Sequence, residues 1–275
     1  MADAFSLAGR TALITGASRG IGAAIAREFA AGGADVALAA RSEGDLRQVA
    51  ASLTATGRRA VPIRCDVLDA ADVAACVDRA WELLDGIDVL VCNAGGPVFQ
   101  SPVLAGRDEG WQRTLDLNLT SVVRLCRDVG ARMVGRGRGS IVNIASAPPT
   151  RAWPALAAYS AAKAAVLSLT ASLAVECGPA GVRVNAICPG WVRTSVNRAY
   201  LRDPDTAATA VEAVPLARWG EPEHVATTAR WLASDAAAYV TGATIAVDGG
   251  LALGQSRRWL DEMAGVLAGR AGAGR

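Results

Sequence analysis

Histidine and lysine are almost absent from this chain. The one histidine in 275 residues, His224, leaves no room for a histidine-based nucleophile relay or a multi-histidine metal site. It follows Glu221-Pro222-Glu223, a good helix opening, and reads as a surface residue of a first turn. No metal is expected. The one lysine is Lys163; the other 27 basic residues are arginines. The six cysteines (65, 76, 92, 126, 177 and 188) have no C-x-x-C spacing. They read as small buried hydrophobes of a reducing compartment. Charge runs are missing and the net charge is only +2, which argues against a nucleic-acid or membrane partner. Met1 to Arg10 is too short and too polar for a signal peptide, so a cytoplasmic protein is expected. The run Ala155–Cys177 has the length of a membrane span, but Tyr159, Lys163, Glu176 and four Ser/Thr within it point to a core helix.

Apolar residues make up 52% of the chain, enough for one large α/β core. Short apolar runs alternate with helical patterns. Strands are expected at 11–15, 35–40, 61–65, 87–92, 140–145, 182–187 and 243–247. Helices are expected at 20–31, 43–56, 70–84, 111–132, 156–177 and 223–234. This alternation predicts a parallel sheet covered on both faces: a single-domain, doubly wound Rossmann fold of seven strands over residues 1–254. Ligands then bind beyond the carboxyl ends of the strands. Residues 255–275 form an extension, in which Trp259, Leu260, Met263, Val266 and Leu267 share one helical face. It either closes over a neighbouring subunit's site or stays disordered.

Within the expected long helix, Tyr159 and Lys163 are four residues apart and share a face. A cation beside a phenol lowers a pKa that is ordinarily about 10, which suits Tyr159 to proton transfer near neutral pH. A lone lysine among apolar neighbours is a position where a compact ammonium on a flexible stem differs from a guanidinium. Between strand 1 and helix 1 lies Thr15-Gly16-Ala17-Ser18-Arg19-Gly20-Ile21-Gly22. These glycines permit a tight turn, a phosphate on the backbone and close helix packing, with a pyrophosphate facing the helix N-terminus. The second strand ends in Ala40-Arg41-Ser42, where NAD-binding folds place an acid for the ribose 2′-hydroxyl. Arg41, aided by Arg19, instead suits a 2′-phosphate, so the cofactor expected is NADPH.

These motifs, with Asp66-Val67, Asn93-Ala94-Gly95, Asn118, Ser146, Tyr159-x-x-x-Lys163 and Pro189-Gly190, resemble the short-chain dehydrogenase/reductase family from Leu7 to about Leu253. The resemblance implies that Asp66 bonds the adenine amino group and that Val67 lines its pocket. Asn93 would shape the turn after strand 4. Pro189, Gly190, Val192 and Thr194 would border the nicotinamide, and Lys163 would hold its ribose. Asn118 would anchor a water that relays protons to Lys163. A homotetramer or homodimer is also implied, with the helices of Asn118 and Tyr159 at one interface. Ser146 can donate a hydrogen bond to a substrate carbonyl while Tyr159 protonates it, and the cofactor does the hydride chemistry.

The substrate side is expected from Pro97 and Phe99, from Pro148 and Trp153, and from Trp191 and Tyr200. A lid is expected over about 191–217, with a short helix near 206–213. This aromatic lining predicts a hydrophobic or cyclic ketone as the small-molecule substrate; the lesser alternative is that Trp153 and Trp191 face a subunit interface. The function expected is an NADPH-dependent ketoreductase, reversible as an alcohol dehydrogenase. A 3-oxoacyl-carrier-protein reductase is the alternative. Members of that type tend to carry an arginine just before the glycine at 181, where this chain has Ala180, with Arg136 and Arg138 offering charge nearby. A cofactor-sensing regulator with a dead site, and a dehydratase or epimerase, are the remaining readings.

Overall fold

The structure, a computed structural model, describes residues 3–146 and 153–254. Seven parallel strands form one sheet: β1 (Thr11–Thr15), β2 (Asp35–Ala40), β3 (Ala60–Arg64), β4 (Val89–Cys92), β5 (Gly139–Ile144), β6 (Val182–Pro189) and β7 (Thr244–Val247). Their order is β3-β2-β1-β4-β5-β6-β7, as the doubly wound reading requires. Val, Ile, Leu and Ala fill β1, β2 and β4 because both faces of these strands are covered. Pro62 lies in β3, an edge strand, where a missing N–H is tolerated.

The helices α1 (Gly20–Ala31), α2 (Glu43–Thr54), α3 (Ala70–Leu84), α4 (Asp108–Leu115), α5 (Ser121–Arg136), α6 (Ala157–Cys177), α7 (Arg198–Leu201), α8 (Pro204–Glu212) and α9 (Pro222–Ala233) complete the chain. One core packs α1, α2 and α9 on one face of the sheet around Phe29, Ile25, Leu46 and Leu232. A second packs α3, α5 and α6 on the other around Val77, Leu125, Met133 and Val166. Each fully buried side chain of this size contributes roughly 1.5–3 kcal/mol.

Most element ends lie within two residues of expectation, and one helix differs in kind. The single helix expected at 111–132 is α4 and α5 joined by a π-helical turn, Asp116–Thr120. The apolar pattern runs on through the turn, so periodicity does not reveal the extra residue. The stretch after β6, where one short helix is expected near 206–213, carries α8 at that place and α7 in addition. Its base is closed by parallel pairing of Val192 with Gly220, the Gly220 amide donating to the Trp191 carbonyl at 2.8 Å and the Arg193 amide to that of Gly220 at 2.9 Å.

Helix α6 is largely apolar, with Ser168, Ser172 and Glu176 among its exposed residues, and its buried residues include Ala158, Ala162 and Val166. On its outer side Val175 is 78% exposed. The residues 157–180 have the length and mean hydropathy of a membrane span. Within the fold α6 instead covers the sheet and carries Tyr159 and Lys163 to its upper end.

Candidate active site

Strand order reverses between β1 and β4, which leaves a crevice above their carboxyl ends. The turn after β1 is pressed against the turn after β4. Gly16 has φ +65°, and a Cβ there would meet Asn93 Nδ2 at 2.7 Å. A Cβ on Gly22 would meet the Gly16 carbonyl oxygen at 2.3 Å. Gly22 thus sets how closely α1 approaches the turn, and it does not line the pocket. Asn93 ties the two turns together, donating from Nδ2 to the carbonyl oxygens of Thr15 at 2.9 Å and Gly16 at 3.2 Å. Thr15, which sequence reasoning passed over, completes the tie: its Oγ1 accepts from the Asn93 and Ala94 amides at 3.0 and 3.2 Å.

From this crevice a single pocket of about 580 Å³ runs to the amino end of α6. At one end it is lined by Gly16, Ser18, Arg19, Gly20 and Ile21. Arg41 and Ser42 join them from β2, and Asp66 and Val67 from the end of β3. Asp66 also fixes its own turn, its Oδ1 accepting from the Leu68 amide at 3.1 Å. The pocket continues past Asn93, Ala94, Gly95 and Pro97, then Pro189, Gly190, Val192 and Thr194. It ends at Ser146, Tyr159 and Lys163 beneath Trp153, Trp191 and Tyr200. Asp45, one turn into α2, lines the Arg41 end; the sequence signal for it was its place four residues after Arg41.

Three expectations need correction or refinement. Phe99 is absent from this pocket. It turns toward α4, where a Cβ on Gly110 would lie 2.4 Å from its ring, and lines a separate hollow with Trp111, Ala157 and Ala158. The chain beyond Gly96 has no regular secondary structure, and it is Pro97, Val98 and Gln100 that reach the pocket. Asn118 is fully buried behind the pocket wall. Its Oδ1 accepts from the Gly96 amide at 2.8 Å, and its Nδ2 donates to the carbonyls of Gly96 and Thr114, both at 3.0 Å. The π-helical turn aims this amide at the 95–96 turn. Pro148 lies outside the described residues, as does the extension from 255.

The third correction concerns the sign of the Tyr159 shift. Its phenol is raised above the ordinary value of 10.0 by burial, against a lowering hydrogen bond with the Ser146 side chain. Lys163 does not supply the expected lowering. Its Nζ lies 5.9 Å from the Tyr159 ring centroid and donates to the Ile144 carbonyl at 2.8 Å. Burial brings Lys163 itself down from 10.5 to about 8, because removal from water disfavours the ammonium. The neighbouring thiol of Cys188 is pushed up to about 11, again chiefly by burial. At neutral pH the site therefore holds a protonated phenol, hydrogen-bonded to Ser146 and sharing α6 with a buried lysine. A Cβ on Gly95 would meet Asn118 Oδ1 at 2.7 Å and Lys163 Nζ at 3.2 Å, so Gly95 is the spacer between these two groups.

The far wall is aromatic. Trp191 packs against Trp153, Tyr200 and Trp219 with centroids 5.3, 5.3 and 5.4 Å apart. Trp153 and Trp191 thus meet within one chain. Trp219 was not singled out from sequence. It is buried, and its Nε1 donates to the Ala207 carbonyl in α8 at 3.0 Å, joining the lid to this wall. Arg136 and Arg138 lie beside Gly181, whose Cβ would sit 2.6 Å from the Gly137 carbonyl oxygen. Both are engaged by the buried Asp88, at 3.6 and 3.3 Å.

Comparison with known proteins agrees with this geometry. Residues 16–252 match the family model described as Enoyl-(Acyl carrier protein) reductase. The chain is 41% identical over 249 residues to 3beta-hydroxysteroid dehydrogenase 1 of Eggerthella lenta, covering 90% of this chain and 95% of that protein. It is 39% identical over 250 residues to a 3-oxoacyl-[acyl-carrier-protein] reductase of Synechocystis, covering 90% and 99%. Among solved structures, a gluconate 5-dehydrogenase of Burkholderia cenocepacia in complex with NADP and tartrate superposes with a TM-score of 0.86 at 35% identity, covering 90% of this chain and 97% of that one. By fold, site and likeness, the chain belongs to the short-chain dehydrogenase/reductase family of oxidoreductases.

Proposed function

We propose that this enzyme is an NADPH-dependent reductase of a hydrophobic or cyclic ketone, reversible as a secondary-alcohol dehydrogenase, with Tyr159 as general acid and base. The observation that carries this reading is one continuous pocket with the glycine turn and two arginines at one end, and Ser146, Tyr159 and Lys163 under an aromatic wall at the other. The residues fit a dinucleotide: added Cβ atoms at Gly16 and Gly22 would close the turn, and Asp66 and Val67 stand where an adenine would rest. When bound, the dinucleotide supplies or accepts the hydride. Ser146 donates to the substrate oxygen and holds it beside Tyr159. The Tyr159 phenol, kept protonated by burial, gives its proton to that oxygen in reduction and takes it back in oxidation. Lys163, bonded to the Ile144 carbonyl, borders the ribose position. Asn118 acts from behind, fixing the 95–96 turn and with it the shape of the nicotinamide end.

Arg19 and Arg41 support the choice of NADPH. Asp45 and Asp66 are the carboxylates at that end of the pocket; Asp66 is assigned to the adenine, and the two guanidinium groups outweigh Asp45 for a 2′-phosphate. The relatives differ in what their names say they act on, so substrate choice is assigned to the wall of Trp153, Trp191 and Tyr200 rather than to the shared core. The acyl-carrier alternative draws support from the Synechocystis relative, but Arg136 and Arg138 are already engaged by Asp88. We further take the enzyme to be a cytoplasmic homotetramer or homodimer with no nucleic-acid or membrane partner. The exposed Val175 on α6 is one apolar contact that an assembly would cover, and the near-balanced charge supports the absence of polyanionic partners.

The test is kcat/KM with NADPH and with NADH on a panel of cyclic ketones, for wild type and Arg41→Ala. Preference for NADPH, reduced about tenfold or more in the variant, is expected from loss of a charge-assisted pair. Equal use of both cofactors by wild type would refute the cofactor assignment.

A further inference from the structure

Beside the mouth of the main pocket lies a second, shallower groove of about 630 Å³ bearing Arg19, Arg27, Arg193, Arg198 and Arg202. Arg19, Gly20, Thr194 and Ser195 line both cavities. Of the five arginines, Arg193 is held by Glu221 at 3.2 Å. The other four form no ion pair among the described residues, and Glu223 is the one carboxylate on the groove wall. Outside the groove nine of the seventeen arginines among the described residues pair with acids, as Arg10 does with Asp235, Arg47 with Glu43, Arg59 with Asp35 and Arg64 with Asp72; the groove is set apart by four unpaired guanidinium groups on one wall. A chain with 28 basic and 26 acidic residues has thus gathered uncompensated positive charge at one entrance. Helix α7 serves both cavities. Arg198 and Arg202, one turn apart, line the groove, while Tyr200 between them packs on Trp191 in the pocket.

We propose that this groove, through Arg27, Arg193, Arg198 and Arg202, is a collecting surface for the phosphates of the incoming dinucleotide, and that these four arginines are separate from the residues that hold it once bound. The proposal rests on the reading of the main pocket as a dinucleotide site. Like charges crowded on one surface repel one another, and a visiting polyanion relieves that repulsion. Because the cavities share lining residues, an anion on the groove already stands at the pocket entrance. Screening over about 8 Å at physiological salt leaves the attraction effective there. Such a surface speeds encounter and leaves the dissociation rate alone, since Arg27 and Arg202 do not line the main pocket.

The experiment is stopped-flow binding of NADPH and NADH from about 10 mM to about 1 M salt, where the screening length falls from about 30 to about 3 Å. Wild type is compared with the double variants Arg27→Glu/Arg202→Glu and Arg27→Lys/Arg202→Lys. The glutamate pair is expected to bind NADPH about tenfold more slowly at low salt, with an unchanged dissociation rate, and to converge with wild type at high salt. The lysine pair, which keeps the charge, is expected to bind as wild type does. NADH, with one phosphate fewer, is expected to show a shallower salt dependence. An association rate independent of salt and of charge reversal overturns the proposal, as does a change confined to dissociation or an equal loss in the lysine pair. Equal equilibrium affinities for NADPH and NADH would refute the 2′-phosphate assignment while leaving the salt response as the separate test of the groove. Failure of wild type to bind either dinucleotide would overturn both readings.

Discussion

Lys163 should make the stability of this enzyme rise with pH above neutrality. Its amine is buried, with a pKa lowered from 10.5 to about 8, so the folded protein binds that proton less tightly than the unfolded chain. Below about pH 8 both states carry the proton, and the folded state bears the full cost of the buried ammonium. Between about pH 8 and 10.5 the folded state sheds the proton first, and the cost fades. At about 1.4 kcal/mol per unit of difference, the gap between 10.5 and about 8 corresponds to a cost of about 3 kcal/mol at pH 7. Most of it is relieved by pH 10. The assay is urea unfolding of the dinucleotide-free protein across pH 7–10 for wild type and Lys163→Met, whose difference cancels the other titrating groups. The wild-type minus variant stability should rise by about 2.5 kcal/mol over that range. A flat or falling difference would refute the argument that burial outweighs the Ile144 hydrogen bond and keeps Lys163 near pKa 8.

Trp219→Phe removes the indole N–H that reaches Ala207. It should cost about 1 kcal/mol of stability and raise KM for bulky ketones more than it lowers kcat, as read by unfolding curves and steady-state kinetics. Gly95→Ala places a methyl 2.7 Å from Asn118 Oδ1 and 3.2 Å from Lys163 Nζ. It should lower kcat at least about tenfold, with a smaller effect on dinucleotide affinity measured by fluorescence titration.

Much of the fold was legible because both-face burial writes itself into sequence. The apolar strands β1, β2 and β4, with glycines at the first turn, left few topologies open, and the Tyr159–Lys163 spacing placed both groups in one pocket. The unread parts are those that depend on what lies across space. The π-helical turn at 116–120 sits inside a continuous apolar pattern. Phe99 and Val98 are adjacent residues of similar chemistry, and only the path of the loop decides which one faces α4. The direction of the Tyr159 shift depends on burial against a distant cation, and spacing along α6 gives only their common face. Asp45 and Trp219 reach the site from α2 and from the base of the lid; the one signal for Asp45 is its place four residues after Arg41, and Trp219 has none.

The most direct test of the central claim is single-turnover reduction of the best ketone by NADPH-loaded wild type and Tyr159→Phe, with dinucleotide affinity measured on the same samples. Near-normal NADPH binding with hydride transfer slowed by about 100-fold or more is the result expected if the Tyr159 hydroxyl supplies the proton. A variant that reduces the ketone at close to the wild-type rate would contradict the account and move the proton donor elsewhere in the pocket.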